Sequence, residues 1–243
     1  MKQSLFVGIL LVVSAVSSVF IYFSLPKFIQ DGGYLVISLI MLTILVTAFV
    51  FERIFSLRKA QGKGAVTSFL GRVQKLVNTG DVDGAIAECD KQRGSMANVI
   101  RTGLERYKTL QATSSSMEQK EMLEDVKHSI EEAMMLEVPL LEKNLIALST
   151  IASISTMVGL LGTVLGMIRS FAAMARAGAP DPVQLSLGIS EALINTAGGL
   201  IAAIIGILAY NFFTNKVDSF TYMIDEASYS IVQSLAFSKK RGH

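Results

Sequence analysis

The sequence predicts an all-α membrane protein with four transmembrane helices, two of them long enough to extend into a helical cytoplasmic domain. Three observations predict it. Hydrophobic residues make up 51% of the 243 residues and charged residues 17%, against about 45–50% and about 25% in soluble domains. The apolar residues collect into four runs, 4–25, 34–51, 145–175 and 185–213, each near or above the ~18 residues of a spanning helix. Between the second and third runs lies 52–142, polar and of mixed charge, which belongs in water rather than hydrocarbon. The chain divides accordingly into an N-terminal span and loop (1–33), a second span (34–51), a cytoplasmic helical region (52–142), a helix hairpin (143–215) and a C-terminal helix with a basic tail (216–243).

The first run has a rival reading as a secretory signal, since Lys2 opens it and Ala15-Val16-Ser17 supplies small residues for a peptidase. The apolar run continues past that point to Leu25, so an uncleaved span is expected. Orientation follows from the basic residues. Arg53, Arg58, Lys59, Lys63, Arg72 and Lys75 follow the second span, and Lys239, Lys240 and Arg241 end the chain. Both flanks are then cytoplasmic. The connections 26–33 and 176–182 carry only Lys27 and Arg176 and fall on the opposite side, which puts both termini inside.

In the polar region, Val66, Phe69, Leu70, Val73, Leu76 and Val77 form an amphipathic helix, with Gly80 as its C-terminal cap and Asp81 capping the next. Short helical patterns over 85–89 and 97–107 are separated by Gly94 and Ser95, and 113–116 reads as a loop. From 117 to 142, Met122, Val126, Ile130, Ala133, Met134 and Glu137 keep helical spacing, and the helix is expected to run on into the third span, interrupted at most by Pro139. At ~1.5 Å per residue the run 145–175 alone covers roughly 46 Å against a core of ~30 Å. Beyond the last span, Val217, Phe220, Ile224, Ala227, Ile231 and Leu235 prolong its apolar face. The short helices and neighbouring copies of the subunit are the natural partners for that face.

Composition removes several classes of function. A net charge of +2 from evenly mixed residues offers no concentrated basic patch for nucleic acid. Cys89 is a single cysteine without ligand-spaced neighbours and reads as a buried, inert thiol. His128 and His243 stand alone, so no metal set, nucleophilic triad or phosphate loop is in view, and neither an enzyme nor a cofactor is expected.

The third span carries Ser149, Thr156, Thr163 and Ser170 at intervals of seven residues, with Ser153 beside them. Each hydroxyl could simply bond its own helix backbone, but four at heptad spacing favour a polar seam. Gly159 and Gly166 flank it, with Gly162 expected on another face, a density of small residues that lets membrane helices approach closely. The last span opens with Asp181 as N-cap, Pro182 in the first turn and Gln184 in a capping-box position. Ala192, Thr196, Gly199, Ala203, Gly206 and Tyr210 then share a face suited to packing or to lining a pore. Glu191 and Asn195 stand on the adjacent sector. A carboxylate inside a span is costly unless neutralised, paired or wet, so Glu191 is a candidate functional residue, with a structural ion pair as the alternative.

Residues 159–168, Gly-Leu-Leu-Gly-Thr-Val-Leu-Gly-Met-Ile, with Ser170-Phe171, and residues 189–200, Ile-Ser-Glu-Ala-Leu-Ile-Asn-Thr-Ala-Gly-Gly-Leu, with Tyr210-Asn211, resemble the signatures of the ExbB/TolQ/MotA proton-channel family, closest to ExbB. A weaker likeness runs from about 34 to 215. The resemblance implies the inner membrane of a Gram-negative-type bacterium and a channel-forming hairpin at 143–215 in a homo-oligomer, usually a pentamer. The ring would enclose the single helices of an ExbD- or TolR-like dimer whose aspartate takes up protons. A TonB- or TolA-like protein would carry the work to the outer membrane. Thr163, Glu191 and Thr196 match family positions associated with the proton pathway, and Ser149, Thr156, Ser170 and Asn195 are further candidates for lining it. Gly159, Gly162, Gly166, Gly199 and Ala203 are candidates for helix packing.

Three departures from the family pattern stand out. Thr156 and Ile205 occupy positions where proline is common, and Arg169 replaces a neutral residue. Four spans is a number shared with MotA-type flagellar stators, although 191–196 looks like ExbB. Arg169 and Glu191 fall roughly 9 Å and 15 Å below the hairpin tip at ~1.5 Å per residue, a gap their side chains can close. They are therefore expected to pair, within or between subunits, near the periplasmic mouth of the channel, making Glu191 a latch or gate while the partner's aspartate loads protons. A TolQ- or MotA-type stator and a non-conducting membrane scaffold remain alternatives. H⁺ and Na⁺ remain equally open as the coupling ion.

Overall fold

A computed structural model describes residues 2–113, 118–175 and 181–238. The expected loop beyond Thr113, the connection at Arg176 and the tail with Lys239, Lys240, Arg241 and His243 lie outside the described residues. Among those described, every regular element is helical: α1 (Lys2–Ser24), α2 (Lys27–Gln30), α3 (Leu35–Gln61), α4 (Val66–Asn78), α5 (Val82–Gln92), α6 (Ser95–Thr113), α7 (Gln119–Glu142), α8 (Leu145–Met174) and α9 (Pro182–Ser238). They form two compact units, Met1–Glu52 with Asn144–Phe213, and Arg53–Lys143 with Thr214–His243.

The first unit holds the apolar spans. α3, α8 and α9 are long and apolar enough to cross a membrane, and α1 supplies a shorter apolar stretch at Gly8–Ser24. Pro26 cannot continue α1 and instead caps the single turn α2. Tyr22 Oη donates to the Gln30 carbonyl (3.1 Å) and Gln30 Nε2 to that of Leu25 (2.7 Å), closing the link. The chain enters α3 through Gly33, whose φ of 73° favours glycine. α8 and α9 pack backbone to backbone on their small residues: a methyl added at Gly159 would stand 3.2 Å from the Gly199 Cα, and one at Gly206 2.8 Å from the Ala152 Cβ. Their other sides, Leu160, Val164 and Ile168 on α8 and Leu193, Leu200 and Ile204 on α9, are exposed and apolar, as a lipid-facing surface requires.

The second unit is a water-type bundle. Phe69, Val73 and Val77 of α4, Ile100 and Leu104 of α6, and Val126 and Ile130 of α7 are buried with Val217, Phe220, Ile224, Ile231 and Leu235 of α9. The short helices therefore cover the apolar face that prolongs the last span. Gln74 Nε2 donates to Ser230 Oγ (2.8 Å) and Gln119 Nε2 to the Ala236 carbonyl (3.0 Å), fixing α4 and α7 on α9. Asp81 accepts from the Gly84 amide (2.8 Å) and caps α5, while Gly80 (φ 81°) ends the turn after α4. Cys89 is buried, and desolvation, helped by Asp90, pushes its thiol up to about 12. Fully buried Arg53 donates from Nη1 to the Leu141 carbonyl (3.0 Å), a cation at a helix C-terminus.

One junction differs from expectation. The helical path from α7 to α8 breaks at Lys143 and Asn144, where Asn144 takes φ 63°, whereas Pro139 stays inside α7. Asparagine tolerates the left-handed region, and Asn144 Nδ2 donates to Glu52 Oε2 (3.3 Å). That side-chain bond offers the backbone an alternative to continuing the helix.

Candidate functional site

In the first unit, the α8–α9 contact assembles a polar cluster inside otherwise apolar helices. Gly166 and Gly188 set its spacing: a Cβ at Gly166 would stand 2.5 Å from the Gly188 carbonyl and 2.9 Å from Ala192 Cβ. Gly162 packs on the Asn195 side chain. Gly162 thus faces α9 with Gly159 and Gly166 rather than standing on another face. Three residues advance an α-helix to within about 60° of the starting direction, so one broad contact surface takes in all three.

Within that spacing the Thr163 and Thr196 hydroxyls hydrogen-bond to each other across the helix pair. Thr163 also lies 3.3 Å from the Gly159 carbonyl, and Thr196 3.1 Å from that of Ala192. Each hydroxyl has a single proton. One threonine therefore donates to the other, which donates to its own carbonyl, and reversing both gives an equivalent arrangement. The pair has two proton configurations with nearly identical geometry.

Asn195, the residue before Thr196 on α9, is fully buried, and its Nδ2 donates to the carbonyls of Gly32 (2.7 Å) and Glu191 (2.9 Å). Its Oδ1 is buried without a hydrogen-bond partner among the described residues. Glu191 is 7% exposed. Arg169 Nη1 donates to both of its carboxylate oxygens, at 2.6 Å and 2.5 Å, within this one chain. The guanidinium side of the pair is 62% exposed and the carboxylate side 9%, so Arg169 reaches inward from a wet or unpartnered surface to neutralise a buried charge. Gly33 completes the wall: a Cβ there would stand 2.9 Å from Glu191 Oε1.

The other candidates divide. Ser170 Oγ donates to the Leu185 carbonyl of α9 (3.1 Å). Ser149, Ser153 and Thr156 donate back to their own helix, to Ile146, Ser149 and Ala152. Gly199 packs on the Ser155 carbonyl, and Ala203 is buried on the same side of α9; Tyr210 is half-buried. Sequence reasoning passed over Gly32, which accepts from Asn195 163 residues away, and Gly33, which lies against Glu191. It also passed over fully buried Ser155 and over Gly188. Gly188 had a readable signal, since it extends the small-residue face of α9 by one turn before Ala192.

The profile of the MotA/TolQ/ExbB proton channel family matches residues 91–226, a span that includes every residue of the cluster except Gly32 and Gly33. The biopolymer transport protein ExbB of Pseudomonas putida is 24% identical over 208 residues, covering 85% of this chain and 62% of that protein. The chain thus spans less than two thirds of that relative. The Tol-Pal system protein TolQ of Pseudomonas aeruginosa is 29% identical over 191 residues, 76% of this chain and 81% of its own. An ExbB-like biopolymer transport protein of Synechocystis sp. is 31% identical over 184 residues, 75% and 81% of the two chains. With the profile covering more than half of its length and its apolar helices arranged around the signature residues, the chain is a multi-pass membrane protein that belongs to the MotA/TolQ/ExbB proton channel family.

Proposed function

We propose that the chain is an ExbB-type subunit of a proton-driven motor in an inner membrane, with both termini cytoplasmic. In this reading it forms a homo-oligomeric, pentameric channel around an ExbD-like single-span dimer and energises a TonB-like protein. The observation that carries the reading is the Thr163–Thr196 hydroxyl pair, half-buried between two membrane helices and able to reverse its proton order without moving a heavy atom. Neutral threonines hold no charge, so they act by passing hydrogen bonds between ordered water and an acid supplied by the partner. Glu191, neutralised by Arg169, is the latch of the channel mouth. Proton flux in vesicles co-reconstituted with the single-span partner tests this. Thr163→Val with Thr196→Val is expected to abolish flux while the oligomer still assembles. Undiminished flux in that variant eliminates the relay.

A TolQ-type subunit is the second reading. It is favoured by the match to the Pseudomonas aeruginosa TolQ, which covers 81% of that protein. Identifying which single-span and envelope-spanning proteins co-purify separates the two tasks.

A further inference from the structure

The second unit contains a cavity of about 460 Å³ that the proposed function leaves unused. Its floor is two turns laid against one another. The Lys63 amide donates to the Gln92 carbonyl (2.7 Å) and Gln92 Nε2 to the Gln61 carbonyl (3.3 Å). Gly62 (φ 78°) and Gly94 (φ 110°) meet so closely that a Cβ on Gly94 would stand 2.8 Å from the Gly62 nitrogen. Arg93, beside Gly94, has φ 54° and ψ 157°, a region nearly reserved for glycine.

That floor brings three cations to one rim. Lys59 from the end of α3, Lys63 from the first turn and Arg93 from the second all line the cavity. Among the described residues none of the three pairs with a carboxylate. The one acid in the lining, Glu137, accepts from Asn98 Nδ2 (2.8 Å). Ser56 and Ser95 add hydroxyls, and the rest of the wall is apolar, from Ala60, Leu140 and Leu141. Leu140 is 56% exposed, Leu136 one turn before it 74%, and Phe55, one turn before Lys59, 67%.

Unpaired cations call for an anion, and exposed leucine and phenylalanine beside them call for hydrocarbon. A soluble anion would satisfy only the first demand. In sequence, Lys59 comes eight residues after the second apolar run ends at Phe51, a spacing at which basic side chains reach the headgroup layer. We propose that this cavity binds the phosphate-bearing headgroup of an anionic phospholipid, with Lys59, Lys63 and Arg93 on the phosphate and the acyl chains lying over Leu136, Leu140 and Phe55.

The test uses the full-length protein in detergent micelles containing phosphatidylglycerol and phosphatidylcholine in equal amounts, with retained lipid read by native mass spectrometry. Preferential retention of phosphatidylglycerol is expected. Lys59→Gln with Lys63→Gln should weaken it by about fivefold for each cation removed, whereas Lys59→Arg with Lys63→Arg should keep it. Arg93 is left in place because its backbone is strained, and a thermal melt matching the wild type excludes misfolding as the cause of a loss. Lys75→Gln with Lys120→Gln, outside the cavity, should retain the lipid as the wild type does. No preference between the two lipids, or an equal loss in the Lys75 and Lys120 variant, overturns the proposal. In a second arm, excess inorganic phosphate is expected to leave the lipid bound. If it displaces the lipid, the cavity is a site for soluble phosphate and the phospholipid assignment is wrong.

Discussion

The two units hold their helices together by opposite means. In the first, α8 and α9 meet through Gly159, Gly166, Gly188, Gly199, Ala203 and Gly206, and the contacts are backbone on backbone. In the second, Phe69, Ile100, Leu104, Ile224 and Ile231 are buried whole. The surroundings account for the difference. Lipid tails are as apolar as leucine, so helices in a membrane gain little from burying large side chains and instead gain dispersion contacts and cross-helix hydrogen bonds by coming close. In water, each buried apolar side chain contributes about 1.5–3 kcal/mol, and bulk is the advantage. Charge follows the same division. The first unit buries one carboxylate against one arginine, while the second, apart from the buried Arg53, spreads exposed pairs such as Arg106–Asp125 and Lys108–Asp83 over its surface.

The largest expected effect breaks the first unit's close approach. Gly166→Val would drive three carbons into the Gly188 carbonyl and the Ala192 backbone, neither of which can rotate away. Loss of the folded protein from detergent extracts is expected, measured as the monodisperse fraction by size-exclusion chromatography. A monodisperse, native-sized Gly166→Val protein would mean that α8 and α9 do not rely on this contact.

Next comes the buried pair. Glu191→Gln leaves Arg169 without its counter-charge, but that guanidinium is 62% exposed, so the cost falls below the about 3–5 kcal/mol of stranding a fully buried charge. The double variant with Arg169→Met is expected to recover part of that loss, because an uncharged pair has nothing to strand. Thermal melts of the two singles and the double, all in one detergent, read the coupling. If the double is no more stable than Glu191→Gln alone, Arg169 is not what neutralises Glu191, and the carboxylate becomes a candidate proton carrier in its own right.

Glycine tests the same contrast at smaller scale. Gly71 sits inside α4 of the second unit with no atom within 4 Å of an added Cβ. Gly71→Ala should stabilise by about 1 kcal/mol through helix propensity alone, the reverse of the effect at Gly166. A destabilised Gly71→Ala protein would show that this open surface is covered in the assembled state.

How much of this could be read beforehand follows from what periodicity reports. The heptad positions of Thr163 and Ser170, the small face from Ala192 to Gly206 and the caps at Gly80 and Asp81 are local facts of a helix, and the structure shows the same faces and turns. Gly32 and Gly33 were not legible as part of the cluster, because their contact with Asn195 and Glu191 depends on where a distant turn docks. Ser149 and Thr156 share Thr163's stripe yet bond to their own helix. Heptad spacing places a hydroxyl on a face but does not say whether a partner stands opposite it. The break at Asn144 was hidden by a stronger local signal, Pro139, which a helix accommodates when its lost hydrogen bond lies on an exposed side. Met135, the residue four before Pro139, is indeed 74% exposed.

The smallest effect belongs to an exposed charge cluster of the second unit, and its value lies in its sign. Lys91 and then Arg72 hold Glu88 below the ordinary carboxylate value of 4.5 by hydrogen bonds to its two oxygens. Because the folded-state value is the lower one, Glu88 binds its proton more readily in the unfolded chain. The stabilisation is therefore present in full above pH 4.5 and is lost as the pH falls through the folded value. Arg72 and Lys91 are 53% and 72% exposed, and solvent screening keeps such pairs to about 1 kcal/mol or less. Glu88→Gln should thus lower the melting temperature slightly at neutral pH, with the difference from the wild type shrinking below pH 4.5 and also shrinking in high salt. The Arg169–Glu191 pair, shielded from bulk water on its carboxylate side, should respond much less to salt over the same range. If the two pairs lose stability equally with added salt, Glu191 is wetter in the folded protein than its burial implies, and the contrast between the two units does not extend to their charges.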